Sequence, residues 1–388
     1  MALTKLTKNL IDGTFGTEWD STIQTSNFTA VAAKGYFVNT TASTITINLP
    51  AGAVGTEIVI QDYAGTFATN EVLLNSNGSE KIQGSSTIQG QITTNNATAT
   101  LVYQDATKGW TSQDVTLVPQ TTNVEYILIA GGASGGQGST RGGGGAGGLA
   151  TGTQSFSSSN SISITIGAGA PSSTNGNGEN GNDSTITGTI TATANKGLEG
   201  ASSQTGGDAG SPGFAGGSGA TAGGIAWYMD GGGGGLGAVG QNAANNTNDP
   251  HDGANGGDGI NTYQTWATAT STGDNGYFGG GGGSYGWSRY TANDYTHWVS
   301  TTGVGGQGGG GDAIPADLTT TTAMRGAANT GGGSGNGGGS GPDANRLGGS
   351  GICILRYSGT QAGTGGTIVT TGGYTYHTFT QSGTFTKT

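Results

Sequence analysis

The sequence predicts a mainly β protein with an N-terminal β-sandwich or small barrel, followed by a glycine-rich domain of packed polyglycine II helices on a small β base. Three observations lead to this prediction. Short stretches of alternating polarity fill the first third of the chain, glycine supplies 84 of the 388 residues, and hydrophobic residues make up only 31%. A conventional apolar core along the whole chain is excluded, because so little apolar area cannot offset the entropy lost on ordering so many glycines.

The N-terminal domain is predicted over residues 1–119, where five stretches alternate between apolar and polar residues with the period of a half-buried strand. These stretches are residues 34–39, 43–49, 57–62, 71–75 and 98–103. Turn-forming residues separate them at 50–52, at Gly65, at 75–78 and at 108–109, where we expect hairpins to reverse the chain. Several short strands at this spacing are typical of a sandwich or a small barrel.

The glycine-rich domain is predicted over residues 124–357. The nearly continuous apolar runs at 124–130 and 352–357 predict buried strands of a small base, and the alternation of Ile162, Ile164 and Ile166 predicts a third strand. Residues 358–388 return to alternating polarity and are predicted to form a C-terminal β tail.

Glycine tracts separate these apolar runs. They occupy residues 142–145, 231–235, 279–283, 308–311 and 331–339. An ordered polyglycine segment can adopt the extended helix of three residues per turn, which has no internal hydrogen bonds. Its backbone groups then need partners on neighbouring segments, and glycine allows the close approach that such partners require. The tracts therefore predict a slab of packed polyglycine II helices, either parallel or antiparallel.

Charge and composition exclude several classes of protein. The chain has 12 basic and 23 acidic residues and no Lys/Arg cluster, which argues against binding to nucleic acid. Its 6 Trp, 13 Tyr and 9 Phe argue against a disordered low-complexity chain. The single Cys353 is expected to be a small buried hydrophobe. We find neither a signal-peptide pattern nor an apolar run of about 18 residues, and therefore expect no Sec export and no membrane insertion.

The candidate binding residues are aromatic and polar residues in the segments between the glycine tracts. Loops on a rigid scaffold commonly carry binding residues, and Tyr, Trp and Arg are enriched in binding hot spots. The candidate binding residues are Trp227, Tyr228, Tyr263, Trp266, Tyr285, Trp287, Arg289, Tyr290, Tyr295, His297 and Trp298. In the alternative interpretation, the tryptophans cap the slab or pack between its layers.

No motif in the sequence predicts catalysis, a metal or a cofactor. The tract that begins at Gly142 lacks the Gly-Lys-Ser/Thr of a phosphate-binding loop. His251, His297 and His377 have no Cys or Glu partners at zinc-ligand spacing, and the spacing of a calcium-binding loop is absent. We therefore expect a protein that is not an enzyme, with no catalytic residues, no bound metal and no cofactor.

Two parts of the chain resemble modules of bacteriophage proteins. Residues 34–41, 45–50, 62–67 and 103–110 resemble, in this order, a module of fibre proteins from marine phages, especially those that infect cyanobacteria. From Val124 to Tyr357 the chain resembles the glycine-rich domain of phage tail proteins, with the cluster at 142–148 and the closing strand at 348–357. One departure is that the element at 377–385, which usually precedes this domain, stands here after it.

The resemblance implies a virion protein, placed in a tail fibre in preference to the capsid surface and made in the host cytoplasm. It also implies a homotrimer that contacts other virion proteins and binds a host surface receptor, either a polysaccharide or an outer-membrane protein, through loops at one end of a polyglycine sandwich. The alternative is a purely structural capsid or tail protein without receptor binding. An ice-binding polyglycine bundle is disfavoured, because the sequence lacks flat Thr/Ala ladders and disulfides.

Overall fold

The computed structural model describes residues 17–86, 88–119, 121–137, 141–157, 160–172, 176–201, 204–220, 228–243, 253–289, 298–314, 324–337 and 345–388. Within these residues the protein is mainly β, with several sheets and one short helix, which confirms the predicted fold class. The chain divides into two compact units, Met1–Thr121 and Thr122–Thr388.

The described residues of the first unit form ten strands in two sheets. The strands are β1 (Glu18–Trp19), β2 (Phe28–Thr29), β3 (Lys34–Val38), β4 (Ile45–Asn48), β5 (Glu57–Asp62), β6 (Val72–Asn75), β7 (Ile88–Ile92), β8 (Thr98–Tyr103), β9 (Trp110–Thr111) and β10 (Thr116–Pro119). One sheet has the order β1-β3-β5-β8-β9 and the other the order β10-β7-β6-β4-β2. Both described sheets are open and enclose one hydrophobic core, so the unit is a sandwich and not a barrel.

The first six strands wind as a solenoid. Successive strands alternate between the two sheets. In one sheet β1, β3 and β5 run parallel, and in the other β2, β4 and β6 run parallel. The prediction of hairpins was therefore wrong at 50–52 and at Gly65, where the chain crosses from one sheet to the other. The turns at 75–78 and 108–109 do join antiparallel neighbours, β6 with β7 and β8 with β9.

The second unit rests on two further five-stranded sheets. Their strands are β11 (Thr121–Ile129), β12 (Leu149–Ser157), β13 (Ser161–Thr165), β14 (Ser184–Gly188), β15 (Ala192–Ala194), β19 (Ile352–Ser358), β20 (Gly363–Thr364), β21 (Thr367–Thr371), β22 (Tyr374–Phe379) and β23 (Gly383–Lys387). The orders are β12-β11-β19-β22-β21 and β15-β14-β13-β23-β20. A core that includes Phe156, Ile164, Leu355 and Phe385 lies between these sheets, which together form the base.

The sheet of β11 and β19 is buried on both faces. Its second face presents Ile127, Ile129, Ile352 and Ile354 to a cluster that contains Trp266 of the short helix α1 (Gln264–Thr270). Burial on both faces explains why these two strands are nearly continuous apolar runs in the sequence.

From the base the chain runs repeatedly outwards and back in extended segments, here called glycine rods. The rod of residues 142–148 shows their geometry, since its N–H groups donate in turn to three different rods over N···O distances of 2.7–3.1 Å. Residues 143 and 146 bond to 231 and 234, residues 144 and 147 to 334 and 331, and residues 145 and 148 to 198 and 195. This repeat of three is that of polyglycine II.

The same rod accepts hydrogen bonds from three further rods. Their donors lie in residues 130–136, in residues 207–210 and at Gly282. The rod therefore has six neighbours, as in hexagonal packing. A Cβ on Gly144 would lie 2.4 Å from the carbonyl oxygen of Ala133, and one on Gly145 would lie 2.0 Å from that of Asp208. Such close backbone contact explains why the inner rods consist almost entirely of glycine.

Outer rods keep glycine only on the side that faces the slab. Along residues 195–200, Gly197 and Gly200 stand three positions apart against neighbouring backbone, whereas Leu198 is exposed. Outer rods are also joined by Asn and Asp side chains. Asn255 Oδ1 accepts the N–H of Val304 and Asp258 Oδ1 accepts the N–H of Gln307, each at 2.9 Å. We call such contacts Asx bridges; they satisfy N–H groups that have no backbone acceptor at the slab surface.

Candidate functional site

The glycine rods end in two different ways. At the base end they continue into strands, as Ala130 follows β11 and Gly351 precedes β19. At the opposite end, here called the far end, lateral contacts link residues that flank the connections between rods. Examples are the bridges of Gln137 and Ile314 with Gly337 and of Ala220 with Met229.

A three-stranded antiparallel sheet stands at the far end. It consists of β16 (Tyr228–Met229), β17 (Tyr285–Arg289) and β18 (Trp298–Thr302), with β17 in the centre. Tyr228 is paired with Trp287, and Arg289 is paired with Trp298. Paired residues share a face of a sheet, as do residues two apart on one strand, so this register places all four on the same face.

Four of the predicted site residues lie outside the described residues. They are Trp227, Tyr290, Tyr295 and His297. In sequence, Trp227 directly precedes β16, and the other three fall between β17 and β18. The strands that these four residues adjoin in sequence, β16, β17 and β18, belong to the far-end sheet.

Three predicted site residues lie at the base end or are buried. Tyr263 and Trp266 are at the base end, where their rings pack edge to face with centroids 5.5 Å apart. Trp266 is 5% exposed and Tyr285 is 2% exposed. Trp266 and Tyr285 therefore do not occupy exposed loops. Trp266 covers the apolar second face of the base sheet. Tyr285 is the first residue of β17, which follows the buried rod of residues 279–284.

A buried polar cluster lies directly beneath the far-end sheet. Asp230 follows β16 and is fully buried, and burial raises the pKa of its carboxyl group well above the ordinary value. Asn336 donates to Asp230 Oδ2 at 3.1 Å and also to the carbonyl of Arg141, while the Ser284 hydroxyl donates to the carbonyl of Asp230. These bonds join four rods below the sheet and hold its first two strands in place.

The described part of the chain contains neither a cluster of metal-ligating side chains nor a membrane-spanning helix. No group of three or more His, Cys, Asp or Glu side chains there is arranged to hold a metal ion. No described helix is long and apolar enough to cross a bilayer.

Comparison with known families places most of the glycine-rich region in a described family. The model of a glycine-rich domain family matches residues 107–358. The chain belongs to this glycine-rich domain family. No curated protein matches the chain. The family match contains all of the described glycine rods and the far-end sheet, and it ends with the last residue of β19.

The folded unit extends beyond the family match. β22 pairs with β19, and β23 pairs with β13, so the C-terminal strands lie inside both sheets of the base. Residues 358–388 are thus built into the fold of the glycine-rich unit. They also contribute to a groove beside α1 that sequence reasoning missed; the only signal for it was the alternation of Tyr374 and Tyr376.

Proposed function

We propose that the protein is a phage fibre subunit that attaches the virion to the host cell surface through the far end of its glycine-rich domain. The receptor would be a polysaccharide or an outer-membrane protein. The subunit would be a homotrimer, made in the host cytoplasm and held in the tail by other virion proteins, with no catalytic step.

The observation that carries this proposal is the gathering of candidate residues at one end of the slab. Tyr228, Trp287, Arg289 and Trp298 share a face of the far-end sheet. Trp, Tyr and Arg are the residue types that dominate binding hot spots, because they offer large contact areas together with hydrogen-bonding groups.

The glycine rods provide a suitable scaffold for such a surface. Each inner rod is fixed by hydrogen bonds to several neighbours, and the polar cluster around Asp230 fixes the rods directly under the sheet. A receptor-binding surface held in this way loses little conformational entropy on binding. Connections at the far end can also differ in length and composition without entering the slab.

The test uses fluorescently labelled recombinant protein and a panel of marine bacterial and cyanobacterial cells. In the far-end variant, Trp287, Arg289 and Trp298 are replaced by Ser, and residues 290–297 are replaced by a Gly/Ser segment of equal length. The control is Phe214→Ser, which removes an exposed aromatic side chain at a turn at the base end, where it is 45% exposed. Circular dichroism checks that both variants remain folded.

We expect wild type and the Phe214→Ser control to label the same host cells, and the far-end variant to lose at least about 90% of the labelling, as expected when hot-spot residues are removed. Equal labelling by the far-end variant would show that attachment uses another surface. An absence of labelling on every cell type, together with stable incorporation into virions, would favour a purely structural tail or capsid protein.

A further inference from the structure

An open groove of about 630 Å³ lies at the base end, between α1 and the hairpin of β21 and β22. This volume falls within the range of small-molecule sites. Gln264 and Thr268 line it from the helix, Thr371, Tyr374 and Tyr376 from the hairpin, and Arg356 from β19.

Two tyrosine rings form the aromatic part of this groove. The centroids of Tyr374 and Tyr376 are 6.4 Å apart, with an angle of 52° between the ring planes. Tyr376 is almost fully buried, whereas Tyr374 is 36% exposed. The groove therefore offers an accessible aromatic ring on a rigid strand.

Arg356 is fixed beside these rings. Its guanidinium carbon lies 4.5 Å from the centroid of Trp266 and 4.4 Å from that of Tyr374, so the group is stacked between two aromatic faces. Its Nε donates to Glu125 Oε2 at 2.7 Å, and its Nη2 lies 2.5 Å from the same oxygen. The positive charge is thus neutralised inside the protein, while the position of the guanidinium is set.

We infer that this groove binds a neutral saccharide. The apolar C–H face of a pyranose ring can stack on the face of Tyr374 that is turned away from Arg356, and its hydroxyls can bond to the hydroxyls of Thr268 and Thr371 and to the amide of Gln264. An anionic ligand would have to compete with Glu125 for Arg356. A purely apolar ligand would remove these hydroxyl and amide groups from water without replacing their hydrogen bonds. The inference does not depend on the attachment proposed for the far end, since the two surfaces lie at opposite ends of the rods.

The experiment screens the labelled full-length protein against immobilised neutral di- and trisaccharides of glucose, galactose and mannose, with sialylated and sulfated glycans and an aromatic-rich peptide library alongside. The strongest neutral binder is then titrated calorimetrically. The variants are Tyr374→Ala, which removes the ring, and Tyr374→Phe, which retains it. Tyr63→Ala serves as a matched control, because Tyr63 is an exposed tyrosine of the first unit.

We expect about a tenfold loss of affinity in Tyr374→Ala, the upper range for one aromatic contact, and less than about a twofold change in Tyr374→Phe and Tyr63→Ala. The far-end variant should bind the saccharide like wild type, which separates this site from the attachment surface. Binding of wild type to none of the neutral saccharides, only to anionic glycans or only to peptides would overturn the inference. Unchanged affinity in Tyr374→Ala would overturn it as well.

Discussion

The hydroxyl oxygen of Tyr357 lies 2.9 Å from Nε2 of the buried His377 in the base. On the other side of the ring, Nδ1 is 2.7 Å from the carbonyl oxygen of Gly365. A carbonyl only accepts hydrogen bonds, so Nδ1 carries the proton and Nε2 accepts from Tyr357. The site is therefore built for a neutral imidazole, and burial lowers the pKa of His377 below its ordinary value.

The first prediction concerns pH. Because the folded pKa of His377 is lowered, the unfolded chain binds more protons than the folded chain once the pH falls below about 6.5. The contribution of His377 to stability is complete above this value and is lost progressively towards the lower folded pKa, with a slope of at most about 1.4 kcal/mol per pH unit. Urea unfolding between pH 5 and 8 measures this slope. His377→Gln should be less stable at pH 8 but show a flatter dependence; equal slopes in the two proteins would contradict the assignment.

The second prediction concerns the inner glycine rods. Gly144→Ala places a Cβ 2.4 Å from the carbonyl oxygen of Ala133, in a region where backbone touches backbone and no side chain can move aside. We expect a loss of about 1–3 kcal/mol in the free energy of unfolding, as for other overpacked interiors. Val239→Ala is the matched control, since Val239 is 59% exposed on an outer rod and its substitution creates no clash. Denaturant unfolding that gave the same midpoint for both variants would show that the rods are less closely packed than described.

The third prediction concerns the Asx bridges. Asp258→Ala removes the oxygen that accepts the N–H of Gln307 and should cost about 0.5–1.5 kcal/mol, the net value of one hydrogen bond. Asp258→Asn keeps an acceptor oxygen in the same place and should retain most of the stability. Thermal melts of the two variants distinguish these outcomes. If the alanine and asparagine variants had the same melting temperature, the charge of Asp258 and not its hydrogen bond would be responsible for the stabilisation.

The fourth prediction concerns Cys353, the only cysteine of the chain. Its side chain is fully buried in β19, and burial raises the pKa of its thiol. The thiolate is the reactive form, so the folded protein should react with a disulfide reagent such as dithionitrobenzoate far more slowly than the unfolded protein in urea. Rapid reaction under native conditions would mean that β19 opens readily.

Much of the architecture could be predicted from the sequence, because glycine tracts leave few ordered alternatives to polyglycine II. The partners of each rod could not be predicted, since the bonds between rods join backbone groups that are the same in every residue. In the first unit, the same residue types form hairpin turns and the corners at which the chain crosses from one sheet to the other. Gly65 and the turn at 108–109 therefore look alike in sequence, although only the latter reverses the chain within one sheet.

The candidate site was only partly predictable for a related reason. Aromatic residues between glycine tracts predicted connections between rods, but the pattern did not distinguish the two ends of the slab. The segment of Trp266 lies at the base end because the apolar residues of β11 and β19 on the second face of their sheet need a cover. The role of Arg356 in the groove was not predicted, because this residue lies in an apolar strand and its partners come from three distant parts of the chain.

The pairing of β23 with β13 determines when this domain can assemble. Residues 161–165 emerge early during translation, but their partner at 383–387 emerges only after all the rods have been made. At a synthesis rate of about 5–20 residues per second, this delay is on the order of 10–45 s. The rod of residues 142–148 likewise waits for residues 331–334. Contacts so distant in sequence make folding slow, and the glycine-rich unit therefore acquires its native structure only after residues 383–387 have been synthesised.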